Sequence, residues 1–321
     1  MRTWIITHGD GDGVTSAAIA LAVFPQANVF FSHPAGLYED LVDTVKEGDN
    51  VIICDIAVSE REVEELRLFL GRLGKRGDVV YIDHHPPPVS GDLKGLPITL
   101  VRGEGCAAEL TYLFFKDKLS WDMSRVALYG AICDYETDTR FFREALKDWD
   151  QRMVFFEAGV LAQGLEGSRG EHDFKRHVVR TLSENRLPSS LSELLLKALI
   201  ETMSEEEMRR NLPGIIETLT HIAFVVNPRG SIARAAGYVR AISGKTVGIA
   251  ANKKKGMMVM SLRTNDDRVD LNLVLRELAP RFGGTGGGHP NAAGARIPEN
   301  VFRKFLASLD NEVGRILEVS G

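Results

Sequence analysis

The chain has 321 residues, 44% of them hydrophobic, which is more than a single core usually holds, so two domains are expected. Thirty-nine Lys and Arg against 44 Asp and Glu leave a formal charge of −5, which excludes a histone-like or polybasic binder of long duplexes while leaving a local basic groove open. No apolar run approaches a membrane span, no leader-like stretch precedes the first strand pattern, and Cys54, Cys106 and Cys133 sit in apolar surroundings without ligand-like spacing, so a soluble cytoplasmic protein is expected.

From Trp4 to His85, strand patterns near 4–7, 28–32, 51–54 and 79–82 alternate with helical patterns near 14–23, 37–46 and 60–73. Such alternation indicates a doubly wound, mostly parallel sheet. For the third helix, Ser59 and Glu62 read as a capping box, and Val63, Leu66, Leu70 and Leu73 recur at i, i+3, i+7 and i+10. Helices near 106–116 and 123–133 follow, the second ending at Cys133-Asp134. Residues 140–220 read as mostly helical and strongly charged. After His221 the pattern changes to strands at 222–226, 246–250 and 257–262 with helices at 231–241, 270–280 and 298–318, a smaller α/β domain. The expected division is 1–188, a helical connector at 189–220, and 221–321, with a cleft between the two α/β domains.

Four apolar segments run straight into acid or histidine: into His8/Asp10/Asp12, into Asp55, into Asp83/His84/His85, and into Asp134. At the carboxyl ends of neighbouring parallel strands such residues share one crevice. Two carboxylates about 5 Å apart repel by roughly 3 kcal/mol at an effective dielectric of about 20, so protons or cations must sit among them. Divalent ions cancel the charge directly. The glycines of His8-Gly9-Asp10-Gly11-Asp12-Gly13 let three ligands fan out from one tight turn, and the histidines tilt the choice from magnesium toward manganese. Taken singly, Asp10 or Asp12 would do no more than cap the helix that starts at Val14.

Asp83-His84-His85, with His8, Asp10, Asp12, Asp55 and Asp134 in this order, resembles the DHH phosphoesterase superfamily. The resemblance spans the chain, because Gly286-Gly287-Gly288-His289-Pro290-Asn291-Ala292-Ala293-Gly294 is similar to the signature of the DHH-associated substrate domain of RecJ-type exonucleases and nanoRNases. It implies two manganese ions, with Mg2+ or Co2+ as substitutes, that activate water for attack on phosphorus. One ion would be held by His8, Asp10 and Asp55, the other by Asp12, Asp55, His84 and Asp134, with Asp138 in reserve for Asp134. Asp83 would orient His84, and His85 would face the phosphoryl group or leaving oxygen. Arg263, Gly286, Gly287, Gly288 and His289 would grip substrate phosphate, the glycines as a loop of exposed N–H groups.

The compact His-x-Asp-x-Asp motif lies closer to RecJ-type sequences than to the pyrophosphatase branch. The expected function is therefore a manganese-dependent phosphodiesterase that hydrolyses short single-stranded RNA or DNA to nucleoside monophosphates. A phosphatase of 3'-phosphoadenosine 5'-phosphate, a cyclic or linear dinucleotide hydrolase, and a silent nucleic-acid-binding scaffold are the alternatives, and a homodimer is left open. Glu109 reads as a cap or supporting group near the metal floor, Arg229, Arg234 and Lys253–Lys255 as weaker steering candidates with the lysine run more readily a solvated hairpin tip, and Phe141-Phe142 and Phe155-Phe156 as core more readily than as base-stacking rings.

Overall fold

A computed structural model describes residues 1–88 and 90–319. The chain divides into two compact units, Met1–Glu201 and Thr202–Gly321.

Unit 1 begins with β1 (Thr3–Thr7), α1 (Gly11–Val23), β2 (Asn28–Phe31), α2 (Leu37–Thr44), β3 (Asn50–Cys54), α3 (Val63–Leu73), β4 (Val79–Ile82) and β5 (Thr99–Val101). The five strands form one sheet in the order β2-β1-β3-β4-β5, every pair parallel. Alternate residues of each strand point to opposite faces. Ile6, Val51, Ile53, Val79 and Tyr81 therefore pack under α2 and α3, while Ile5, Ile52 and Ile82 face a larger helical layer. That layer holds α1 together with α4 (Ala107–Phe115), α5 (Ser124–Cys133), α6 (Arg140–Ala145), α7 (Gln151–Glu166) and α8 (His172–Ser183). The alanine-rich α1 is buried along most of its length, as expected of a helix with no polar face. α9 (Ser192–Asn211) runs across the division.

The periodic face of α3 is as expected: Val63, Leu66, Leu70 and Leu73 are all buried, each worth about 1.5–3 kcal/mol of apolar transfer. The capping box is not formed. Glu62 itself is the N-cap and makes no side-chain capping bond, and Ser59 instead closes a turn by accepting from the Glu62 N–H at 3.2 Å through its carbonyl. The doublet Phe155-Phe156, expected in the core, is exposed on α7, whereas Phe142 is buried.

Unit 2 contains β6 (Glu217–Thr218), β7 (Ile222–Val226), α10 (Ile232–Ser243), β8 (Val247–Lys254), β9 (Met257–Thr264), α11 (Leu271–Arg281), β10 (Thr285–Gly288), β11 (Ala292–Pro298) and α12 (Phe302–Val319). Its sheet is mixed, in the order β10-β11-β9-β8-β7-β6, with β7 and β8 parallel and the other pairs antiparallel. Strict alternation along β9 sends Met258, Met260 and Leu262 into the core with α11 and α12. Lys255 and Gly256, at φ 49° and 76°, close the β8–β9 hairpin, so the lysine run is a hairpin tip. The cluster 283–288, expected as open loop, is in part an edge strand: Thr285–Gly288 pairs antiparallel with residues 293–296.

Among the described residues no helix is long and apolar enough to cross a membrane.

Candidate metal centre

β1, β3 and β4 are adjacent and parallel, so the residues after each emerge along one sheet edge. His8 follows β1, Asp55 follows β3, and Asp83, His84 and His85 follow β4. Asp10 caps α1, with its Oδ1 accepting from the Gly13 N–H at 3.0 Å, so the capping reading and the ligand reading apply to the same residue. Asp134 caps the C-terminal end of α5, and its N–H donates to the Gly130 carbonyl at 3.0 Å. α5 approaches α1 and α4 closely because position 130 is glycine: a Cβ there would meet Thr15 Oγ1 at 2.4 Å and the Ala108 Cβ at 2.5 Å.

These side chains converge. Donor atoms of His8, Asp10 and Asp55 lie within 4.8 Å of one another, as do those of Asp12, His84 and Asp134, and those of Asp55, Asp83 and His85. His84 Nε2 stands 3.5 Å from Asp134 Oδ2, 3.6 Å from Asp55 Oδ1 and 3.9 Å from Asp12 Oδ2. His8 Nδ1 is 2.7 Å from Asp10 Oδ2 and 4.0 Å from Asp55 Oδ2. Asp55 thus belongs to two of these three groups and faces the other through His84. Asp138 does not join them: it is 97% exposed and paired with Arg143.

Asp55 is held there at a cost. Its φ is +57°, a conformation that costs a non-glycine residue about 1–2 kcal/mol, and its buried Oδ2 has no hydrogen-bond partner. Its carboxyl is pushed well above the usual carboxylate range by burial and then by the charges of Asp10, Asp12, Asp134 and Asp83. Burial, with Asp12, Asp10 and Glu136, raises Asp134 to about 9. Asp12 is also raised, chiefly by burial, although Ala107 and Ala108 at the start of α4 donate their N–H groups to its two oxygens at 2.7 and 2.8 Å. Burial works against Asp10 as well, but His8, by charge and by hydrogen bond, overrides it and holds that carboxyl below its ordinary value. His8 is raised in turn, mainly by Asp10.

An orphaned buried carboxylate oxygen among mutually repelling acids is the environment that a cation relieves. The donors are carboxylate oxygens and imidazole nitrogens, which suit manganese-like divalent ions. The residues present therefore fit a metal group.

One expected pairing differs. Asp83 is directed at His85 and not at His84: Asp83 Oδ1 lies 2.7 Å from His85 Nδ1. Alternation explains this, since residues two apart after a strand end project to the same side, whereas neighbours diverge. Burial lowers His85, but Asp83 more than compensates and the imidazole is raised; His84, governed by burial, is lowered.

Two residues support these groups, Lys175 without any sequence signal and Glu109 as a supporting group read from the sequence. Lys175 of α8 is buried and donates to the Gly9 carbonyl between His8 and Asp10, 166 positions away. Glu109 of α4 is 1% exposed and accepts from the Thr139 hydroxyl at 2.8 Å. Burial, opposed by that bond and reinforced by Asp12 and Glu136, raises Glu109 to about 7.

In unit 2, Arg263 lies at the end of β9, opposite Ala292 and Gly248, and donates from Nη1 to the Leu262 carbonyl at 2.9 Å. Gly286, Gly287 and Gly288 lie in β10, and His289 opens the turn to β11, its N–H donating to the Ala292 carbonyl at 2.9 Å. Of the amides expected to be exposed, that of Gly288 donates to Asn272 Oδ1 at 3.1 Å. Arg276 of α11, absent from the sequence reading, lies alongside: a Cβ at Gly287 would meet its Cγ and Nε at 3.6 Å. Arg229 and Arg234 are paired with Glu207 and Glu205.

Residues 2–132 match the family model of the DHH family, N-terminal domain, and residues 220–315 match that of the DHHA1 domain. No curated protein matches the chain. Among solved structures, RecJ of Thermus thermophilus in complex with Mn2+ shares 17% identity at a TM-score of 0.69, over 98% of this chain and 52% of that one. The chain thus spans about half the length of that relative. An exopolyphosphatase-related protein from Bacteroides fragilis gives 15% identity and a TM-score of 0.60, covering 99% and 94%. The pGpG-specific phosphodiesterase PggH of Vibrio cholerae gives 12% and 0.58, covering 98% and 99%. At these identities the likeness is one of fold. With both domain models matched in order, and a parallel sheet edge gathering the histidines and aspartates, the chain belongs to the DHH phosphoesterase superfamily.

Proposed function

We propose that this chain is a metal-dependent phosphodiesterase that hydrolyses short single-stranded oligonucleotides to nucleoside monophosphates, with manganese as its working ion. One observation carries the reading: carboxylates and imidazoles from the ends of β1, β3, β4 and α5 meet, and Asp55, common to two of the groups, keeps a buried oxygen without a partner. His8, Asp10 and Asp55 would hold one ion, and Asp12, Asp55, His84 and Asp134 the other. Two divalent cations bound there supply charge opposite the developing negative charge of a phosphodiester and lower the pKa of water.

The chain's own residues do the rest. The α4 amides fix both oxygens of Asp12, so that ligand is oriented before any ion arrives. Lys175 ties the His8–Asp10 turn to α8. Asp83 holds His85 by Nδ1, and the imidazole so oriented would carry the proton exchanged with the leaving oxygen. Arg263, Gly286–Gly288 and His289 would recognise substrate phosphate, where a guanidinium grips two oxygens and glycine removes the Cβ from the approach. The fold likeness to RecJ and to a pGpG-specific phosphodiesterase supports phosphodiesters as the substrate class.

The test is an assay with Mn2+ on 5'-labelled RNA and DNA oligomers of two to twenty-four nucleotides, alongside 3'-phosphoadenosine 5'-phosphate and cyclic dinucleotides. Release of mononucleotides from the shortest oligomers is expected, and its loss in His84→Ala. Release confined to phosphoadenosine phosphate would replace the phosphodiesterase reading with a phosphatase.

A further inference from the structure

Unit 1 carries a second recess that the metal centre does not use. It is about 690 Å3, within the range of small-molecule sites, and Glu109, Tyr112, Trp121, Thr139, Arg140 and Phe141 are among its walls. It shares structure with the metal centre through the first turn of α4. There Ala107 and Ala108 give their N–H groups to Asp12, and the next residue, Glu109, lines the recess. Glu109 is nearly inaccessible, yet only its Oε1 is satisfied, by the Thr139 hydroxyl at 2.8 Å; among the described residues no donor reaches Oε2. Gly105, at φ +88°, leaves the room that Oε2 occupies, since a Cβ there would lie 2.1 Å from it. Three aromatic side chains line it, with the rings of Tyr112 and Phe141 5.4 Å apart, and Arg140 and Lys147 face Glu104, Glu144 and Asp148 along the rest of the wall.

An acceptor without a protein donor, in a recess that aromatic rings share, suits a flat ring that carries N–H donors. A carboxylate has acceptors only, and each oxygen takes more than one bond. Guanine alone among the common bases presents two adjacent donors, N1–H and the N2 amino group, on one edge. Adenine and cytosine set one donor beside a ring acceptor that a carboxylate repels, and uracil sets one donor between two carbonyls. We propose that this recess is a base subsite selecting guanine through Glu109, which rests on the phosphodiesterase reading and assigns it a base preference. Thr139 is then a positioning residue, fixing the carboxylate in the plane the base must meet.

Calorimetric titration of the metal-free full chain at pH 8 with GMP, AMP, CMP and UMP reads the preference without turnover, and any phosphate contact is common to all four probes. GMP is expected to bind at least about tenfold more tightly than AMP, a difference of about 1.4 kcal/mol. Glu109→Gln replaces one acceptor with a donor, so it should erase the preference or turn it toward AMP. Phe141→Ala should weaken all four probes alike. Thr139→Val keeps the carboxylate but frees it, and should lower the ratio of GMP to AMP affinity even where the Gln variant does not fold. Equal binding of the four probes by the wild type, or an unchanged ratio of GMP to AMP affinity in folded Glu109→Gln and Thr139→Val, overturns the proposal. Asp55→Ala should retain the preference, and a chain that selects GMP but cleaves no phosphodiester sinks the hydrolase reading alone.

Discussion

The donor edge of unit 1 and the glycine strand of unit 2 solve opposite electrostatic problems. Around Asp55 the polypeptide has assembled more negative charge than it can satisfy: Asp55 and Asp134 are raised, one carboxylate oxygen is orphaned, and a non-glycine residue sits at positive φ. Around β10 the polar groups are already provided for, with the Gly288 amide on Asn272 and the Arg263 guanidinium on a strand carbonyl. The first arrangement calls for protons or a cation. The second has its polar groups bonded within the protein.

The sharpest break in that comparison is Asp55→Ala. It removes the carboxylate common to two of the donor groups, so turnover should fall by about 10³-fold or more, the equivalent of several kcal/mol of transition-state stabilisation. The same change removes repulsion and a strained aspartate, so the metal-free protein should melt no lower than wild type while losing most of its gain on addition of Mn2+. Calorimetry with and without Mn2+ reads both. Wild-type activity together with a wild-type Mn2+ shift would take Asp55 out of the centre.

Arg263→Ala acts on the other side of the comparison. With the grip weakened and the cation set intact, KM should rise about 10- to 100-fold, the worth of a charged hydrogen bond, while kcat and the Mn2+ shift stay put. A fall in kcat with unchanged KM would assign the arginine to chemistry instead of binding.

What the sequence made legible follows from the same physics. Acid or histidine after a short apolar segment is a local signal, so His8, Asp10, Asp12, Asp55, His84 and Asp134 were all visible, as was the buried face of α3. Asp83 was visible too, but its partner depended on which way each side chain leaves the strand. β10 was hidden because Thr-Gly-Gly-Gly has neither β propensity nor alternation; its pairing comes from β11 alone. β5 was hidden by having three residues. Lys175 was hidden because a lysine in an amphipathic, charged helix reads as solvated, and only tertiary packing turns it onto Gly9.

Lys175→Met is a smaller perturbation. It leaves the Gly9 carbonyl without its donor and takes a cation from beside Asp10, at a cost of about 1.5–3 kcal/mol in the metal-free protein. Bound Mn2+ replaces that charge, so the loss in melting temperature should be smaller with metal than without. Equal losses under both conditions would make the lysine a plain tether.

Metal removal gives the mildest and most diagnostic effect, because its sign with pH is fixed. A carboxyl raised in the folded state contributes stability that is full below its unfolded pKa near 4 and is lost as pH rises through the folded value, about 9 for Asp134. Asp55 and Asp12 are raised as well and act in the same direction. His84, lowered by burial, has the opposite sign, but above pH 7 it is largely neutral in both states and drops out. Between pH 7 and 9 the chelator-treated protein should therefore lose stability on the order of 1 kcal/mol per pH unit. Saturating Mn2+ releases those protons, so its stabilisation, about 2.7 kcal/mol at a hundred times the dissociation constant, should grow over the same interval. An apo melting temperature that is flat or rising from pH 7 to 9 would mean that the aspartates are not held in mutual repulsion. The contrast between a unit that needs a cation and a unit that does not would then disappear.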